Sequence, residues 1–153
     1  MILLPNVGDL TANAATSGNF TYSVSYGEAT ITDFPESYSG SLTIPSTLGG
    51  YPVTSIGKQA FYNCALLDNV VIPDSVKSIQ DEAFRNCANL RIITFQSATP
   101  ATLGADVFAD MPNDYVIYVP DSVVNDYKTA WPLYADHIQS ANGKHTGIWE
   151  VTV

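Results

Sequence analysis

Val53-Thr-Ser-Ile56-Gly-Lys-Gln-Ala60-Phe61-Tyr-Asn63-Cys64-Ala-Leu-Leu67 is matched 23 residues later by Val76-Lys-Ser-Ile79-Gln-Asp-Glu-Ala83-Phe84-Arg-Asn86-Cys87-Ala-Asn-Leu90. A fixed period this short marks a solenoid, in which each unit buries its apolar face against the next. Short strands recur on either side. Leu42-Thr-Ile44-Pro45, Val70-Val-Ile72-Pro73 and Ile117-Tyr-Val119-Pro120 each end in proline, which cannot donate to a ladder and so closes the strand. Ile93-Thr-Phe95-Gln96 keeps the strand without the proline. Between the strands, Ile56, Ala60, Phe61 and Cys64 fall at i, i+4, i+5 and i+8, which predicts a short helical return segment with one buried face. The extra Leu48-Gly-Gly-Tyr-Pro52 lengthens the first step. The third copy, Leu103 to Met111, is degraded but keeps apolar residues at its core positions.

The flanks read as caps. Residues 1–18 end in Thr-Ala-Asn-Ala-Ala-Thr-Ser-Gly, and 1–19 read as an N-terminal extension or linker. Phe20-Thr-Tyr-Ser-Val-Ser-Tyr26 alternates with period 2, and Gly27-Glu28 turns it into Ala29-Thr-Ile-Thr32, a hairpin capping the stack over 20–40. Repeats fill 41–120. Beyond Pro120, Asp121-Ser122 are placed to cap a helix over Val123–Ala130, stopped before Pro132, within a C-terminal cap over 121–139. The tail, 140–153, holds the strand-like Ile148-Trp-Glu-Val-Thr-Val153.

With 6 basic and 15 acidic residues the net charge is −9, a field that repels phosphate backbones and anionic lipid. Nucleic-acid binding and membrane insertion are not expected. Met1-Ile-Leu-Leu4 stops at Pro5, too short to span a bilayer and without the flanks of a signal peptide. The two cysteines are repeat-equivalent. Neighbouring strands hold such a pair about 4.8 Å apart, whereas a disulfide prefers Cβ atoms about 3.8 Å apart. Two reduced thiols packed as small hydrophobes are the expectation.

The string Thr43-Ile-Pro-Ser46, Gly50-Tyr-Pro-Val-Thr-Ser-Ile-Gly57, Ala60-Phe61, Asn63-Cys64, Leu67 and Val71-Ile-Pro-Asp-Ser-Val76 resembles the BspA-like leucine-rich repeats, over roughly 20–139. The resemblance implies an α/β solenoid: a right-handed leucine-rich-repeat coil of about three and a half repeats, with short parallel strands and short helical return segments. It also implies a surface or secreted protein of a host-associated bacterium, acting in adhesion, with a host or bacterial surface protein or a glycan as partner. The family offers no catalytic residues and no cofactor.

Alternation along the strands sends one set of side chains inward and the next outward. The outward set contains Thr43, Asn69, Val71, Ile92, Thr94, Val116 and Tyr118, a partly apolar face that is the candidate binding site. Other constellations are weaker. His137 beside Asp136 reads as structural, and no Cys/His spacing suits a metal. Asp106, Asp110 and Asp114 recur every four residues but lack the EF-hand pattern and read as a solvated face. Asn19-Phe-Thr21 is a glycosylation sequon only in a eukaryotic secretory setting. The main expectation is a non-catalytic binding or adhesion module. The alternative is a structural or assembly domain of a phage or cell-envelope particle, self-associating through residues 148–153.

Overall fold

The computed structural model describes residues 14–142; the tail strand expected at 148–153 and His145 lie outside them. The N-terminal strands β1 (Ala14–Ser17), β2 (Phe20–Ser25) and β3 (Glu28–Asp33) are antiparallel neighbours. β2 and β3 use the alternating stretch. β1 arises inside the stretch read as a linker, because Gly18, at φ 58°, turns the chain back and lays Ala14–Ser17 against Phe20–Ser23.

The repeats then supply β4 (Gly40–Thr43), β5 (Thr47–Leu48), β6 (Tyr51–Ile56), β7 (Leu67–Ile72), β8 (Ser78–Ile79), β9 (Ile92–Phe95), β10 (Thr102–Leu103) and β11 (Val116–Val119). The insertion before β6 is a small hairpin in its own right, with Gly49 and Gly50 at φ 59° and 87° between β5 and β6. Helix α1 (Val124–Ala130) and the short strand β12 (Ile138–Ser140) complete the described chain.

These strands sort into two sheets. One runs β1-β2-β3-β6-β8-β10, parallel from β3 onward; the other is the all-parallel β4-β7-β9-β11-β12. From β3 to β11 the chain visits the two sheets in turn, apart from the β5 hairpin. Ile31, Ile56 and Ile79 from the first sheet and Val70, Ile93, Ile117 and Ile138 from the second are buried in the core. Glycine keeps the first sheet close at its strand ends. A Cβ at Gly57 would stand 2.8 Å from the Ile31 carbonyl oxygen, which instead accepts the Gly57 N–H at 2.7 Å.

The return segments are not helices. Lys58 to Asn63 is a run of turns, because Gln59 and Asn63 sit at φ 58° and 63°. Glu82 and Asn86 repeat this at 58° and 61°, Asp106 and Asp110 at 55° and 57°. A left-handed residue every fourth position is incompatible with a right-handed helix. The turns direct their N–H groups to the next repeat. Gln59, Phe61 and Asn63 donate to the carbonyls of Asp81, Ala83 and Arg85 at 3.0, 2.8 and 3.0 Å. Glu82, Phe84 and Asn86 donate likewise to Ala105, Val107 and Ala109 at 2.8, 3.0 and 2.9 Å. The buried positions that mimic a helical face are thus kept, with alternate N–H groups bonding to the next repeat and those between them, at Ala60, Tyr62 and Cys64, to carbonyls three residues back in the same one.

Asparagine suits this geometry because its short amide tolerates the left-handed region. Asn86 Nδ2 also donates to Asn63 Oδ1 at 2.7 Å. Asn86→Ala is expected to cost about 1–3 kcal/mol, from the strained backbone and the lost bond, and Asn86→Gly substantially less. Thermal melting of the three proteins checks this; equal melting of the alanine and glycine variants would contradict it.

A phenylalanine spine runs along the stack. Phe61 and Phe84 lie parallel with centroids 4.9 Å apart, and Phe84 and Phe108 follow at 5.9 Å. Phe34 meets Phe61 at 5.0 Å, so the spine begins in the segment assigned by sequence to the N-terminal cap. The far end is closed by Tyr134, edge-on to Phe108 at 5.2 Å, and by α1. Helix α1 starts at Val124, after a 3-10 turn over Asp121–Val123, and carries no side-chain cap. Asp121 Oδ1 instead accepts the Ser140 hydroxyl at 2.7 Å, which ties the turn to β12.

Candidate binding face

The second sheet has one face in the core and one outside. Parallel register places its outward residues in two rows. Ser41, Asn69, Ile92 and Val116 form the first. Thr43, Val71, Thr94, Tyr118 and Gln139 form the second. All seven residues picked out by sequence, Thr43, Asn69, Val71, Ile92, Thr94, Val116 and Tyr118, therefore lie on one face. Thr43 is exposed and the other six are half-buried. At about 4.8 Å per strand, the five-strand row spans about 19 Å between its outer members.

The rows owe their alignment to the inward residues between them. Leu42, Val70, Ile93, Ile117 and Ile138 pair directly across the sheet. A one-residue slip in any strand would turn these into the water, so burial pins the face. Its rim is polar and charged. Ser41 Oγ donates to Asp68 Oδ1 at 3.3 Å, and Arg91 pairs with Asp114 at 3.4 Å. Val71, Ile92 and Val116 make an apolar centre inside this polar rim.

Gln139 was not among the residues expected here, and neither was its strand. The signal was the apolar–polar alternation of Ile138-Gln139-Ser140, too short to stand out as a strand.

The remaining chemistry-bearing residues serve the fold. Cys87 Sγ donates to the Phe61 carbonyl at 3.1 Å, one repeat back, and Cys64 Sγ lies 3.9 Å from the Pro35 carbonyl oxygen. Both thiols are buried and free. His137 stacks on Tyr115 with centroids 3.9 Å apart, its Nδ1 2.9 Å from the Tyr115 carbonyl oxygen. Of the three aspartates, Asp110 binds Arg85 at 2.7 Å and Asp114 faces Arg91, while Asp106 is a left-handed turn residue. Among the described residues no group of His, Cys, Asp or Glu is arranged to hold a metal ion. No described helix is long and apolar enough to cross a membrane.

Burial pushes the thiols of Cys64 and Cys87 from 9.0 up to about 12, and the phenols of Tyr115 and Tyr127 from 10.0 up to about 12. Above pH 9 the unfolded chain loses these protons while the folded chain holds them. Their contribution to stability is complete below about pH 9 and is lost as pH rises toward 12. The urea midpoint is expected to hold between pH 7 and 8.5 and to fall steadily above pH 9. A midpoint indifferent to pH across that window would contradict the burial of these groups.

Residues 34–131 match the family model of the BspA type leucine rich repeat region, in six copies. The copies begin at Phe34, the first member of the spine's regular series, and reach Trp131 beyond the helix. None of the curated proteins compared with the chain matches it. Among solved structures, a leucine rich cell surface protein from Faecalibacterium prausnitzii is 31% identical, with a TM-score of 0.57, over 71% of this chain and 33% of its own. A leucine-rich repeat protein from Bacteroides ovatus is 20% identical, with a TM-score of 0.50, over 71% of this chain and 38% of its own. The chain thus spans about a third of the length of these two proteins.

Proposed function

The chain belongs to the BspA-type leucine-rich-repeat family, and from that premise we propose that it is a non-catalytic protein-binding module of a bacterial surface or secreted protein. The partner, a host or bacterial surface protein or a glycan, sits on the outward rows of the all-parallel sheet. The single observation that carries this reading is the in-register alignment of Asn69, Ile92 and Val116 beside Val71, Thr94 and Tyr118. Alternation of the chain between two parallel sheets supports a continuous coil, and the usual hand of parallel crossovers makes it right-handed. The description of the Faecalibacterium prausnitzii relative as a cell surface protein supports the location.

The test is a screen of the purified chain against immobilised extracellular-matrix proteins and a glycan array. Ile92→Ala and Tyr118→Ala are expected to weaken any partner bound by the unaltered chain at least tenfold, since central anchors dominate such interfaces. Thr102→Ala, on the other sheet, serves as the control. Binding untouched by the first two substitutions would remove this face as the site.

A further inference from the structure

We propose that the cleft between residues 100–106 and 130–134 binds a segment of a partner protein in which an apolar side chain is followed by a lysine or arginine. The cleft lies at the β10 end of the other sheet, away from the proposed binding face, and the proposal does not depend on that face.

The first observation is a preformed space. The cleft has a volume of about 590 Å³, within the roughly 300–1,000 Å³ usual for ligand sites. Its frame is fixed by Trp131, which is buried and edge-on to Phe95 and to Tyr127, with centroids 4.9 Å away in each case. Trp131 Nε1 donates to the Ala101 carbonyl at 2.9 Å and so ties one wall to the other. The Ala105 N–H is engaged as well, by Asp81 Oδ1 at 2.8 Å. With these main-chain groups already bonded, the cleft offers side chains to a ligand rather than a strand edge. Walls held in this way spare the cost of ordering on binding.

The second observation is apolar surface left in water. Leu133, on the second wall, is 87 % exposed, the most exposed large hydrophobic side chain among the described residues. The aromatic rings of Trp131 and Tyr134 lie on the same wall. Covering Leu133 removes apolar area from water, which favours an apolar side chain as the occupant.

The third observation is charge. The ionisable residues of the cleft are Asp106 and Tyr134, and among the described residues no Lys, Arg or His lines it. Asp110 and Asp114 each face an arginine, whereas among the described residues Asp106 has no cation beside it. Burial raises the Tyr134 phenol, and the negative charge of Asp106 adds to the rise. The phenol therefore keeps its proton, and Asp106 stands as an unneutralised carboxylate at an apolar cleft, on a chain of net charge −9. An apolar side chain followed by a cation complements both features, and an acidic neighbour in the same place is repelled.

Amide NMR titration of the full chain tests the proposal, with the blocked dipeptides acetyl-Phe-Lys-amide and acetyl-Phe-Glu-amide as probes. The first is expected to shift amides within 101–106 and 130–134 saturably, and to bind roughly threefold or more tighter than the second. Asp106→Asn puts a residue tolerant of the left-handed region at φ 55° and is expected to erase that preference. Glu36→Gln makes the same charge change at an exposed position in the N-terminal cap and is expected to keep it. Leu133→Ser is expected to weaken both peptides severalfold, and Ile92→Ala neither, which separates this site from the sheet face. Equal affinity for the two peptides, shifts that avoid the cleft, a preference that survives Asp106→Asn or affinities untouched by Leu133→Ser would each overturn the proposal. So would cleft shifts that grow with protein concentration in the absence of peptide, which assign the cleft to a second copy.

Discussion

Phe84→Ala is expected to lower the unfolding free energy by about 3–5 kcal/mol, the usual range for truncating a buried phenylalanine. Phe84 is fully buried and stacks on Phe61 at 4.9 Å and on Phe108 at 5.9 Å. Its backbone is shared in the same way, its N–H donating to Val107 and its repeat-mate Ala83 accepting from Phe61. A cavity at this point loosens the interface on both sides. In a stack whose units contact only their neighbours, a central break divides the array into two shorter ones. Thermal melting of Phe84→Ala should fall by roughly 6–20 °C by the usual scaling of 2–4 °C per kcal/mol for a chain of this size. Leu66→Ala, at a side chain 49 % exposed, should stay within about 0.5 kcal/mol of the parent. Comparable losses at the two positions would mean that the spine does not organise the fold.

Tyr127→Ala carries the second large effect, again about 3–5 kcal/mol. Tyr127 is fully buried in α1, edge-on to Trp131 with centroids 4.9 Å apart and tilted against Phe95 at 6.0 Å. Its hydroxyl donates to the Ser97 carbonyl at 2.6 Å, inside the last repeat. One side chain thus closes the apolar end of the stack and satisfies a buried acceptor. Tyr127→Phe separates the two roles. It keeps the ring and leaves the Ser97 carbonyl unpaired, for about 1–3 kcal/mol. Urea unfolding of both variants checks the order; a phenylalanine variant as damaged as the alanine one would show that packing is not the main role of this residue.

Much of the fold was legible because burial leaves a periodic trace. Ile56 and Ile79, or Phe61 and Phe84, recur at a fixed interval since each must meet its counterpart in the next repeat. The two outward rows could be read for the same reason, as the neighbours of inward Val70, Ile93 and Ile117. The return segments were misread because a buried face with helical spacing is also produced by consecutive turns. The distinguishing sign was present in Gln59-x-x-x-Asn63 and Glu82-x-x-x-Asn86, polar residues at the left-handed positions, where only backbone conformation separates the two readings. β1 and β12 went unseen because short strands draw their stability from pairing with β2 and β11 rather than from local pattern. Asp121 looked like a helix cap and is one of the links to β12, a contact with no local signature.

The central claim is that the outward rows of the all-parallel sheet carry the binding function. Thr94 lies mid-row between Val71 and Tyr118, and its side chain leaves the core untouched. Thr94→Arg, compared with the unaltered chain on the same matrix-protein and glycan arrays, is the most direct test. The account predicts an unchanged melting temperature with binding reduced at least tenfold. Full binding by a normally folded Thr94→Arg protein would contradict it.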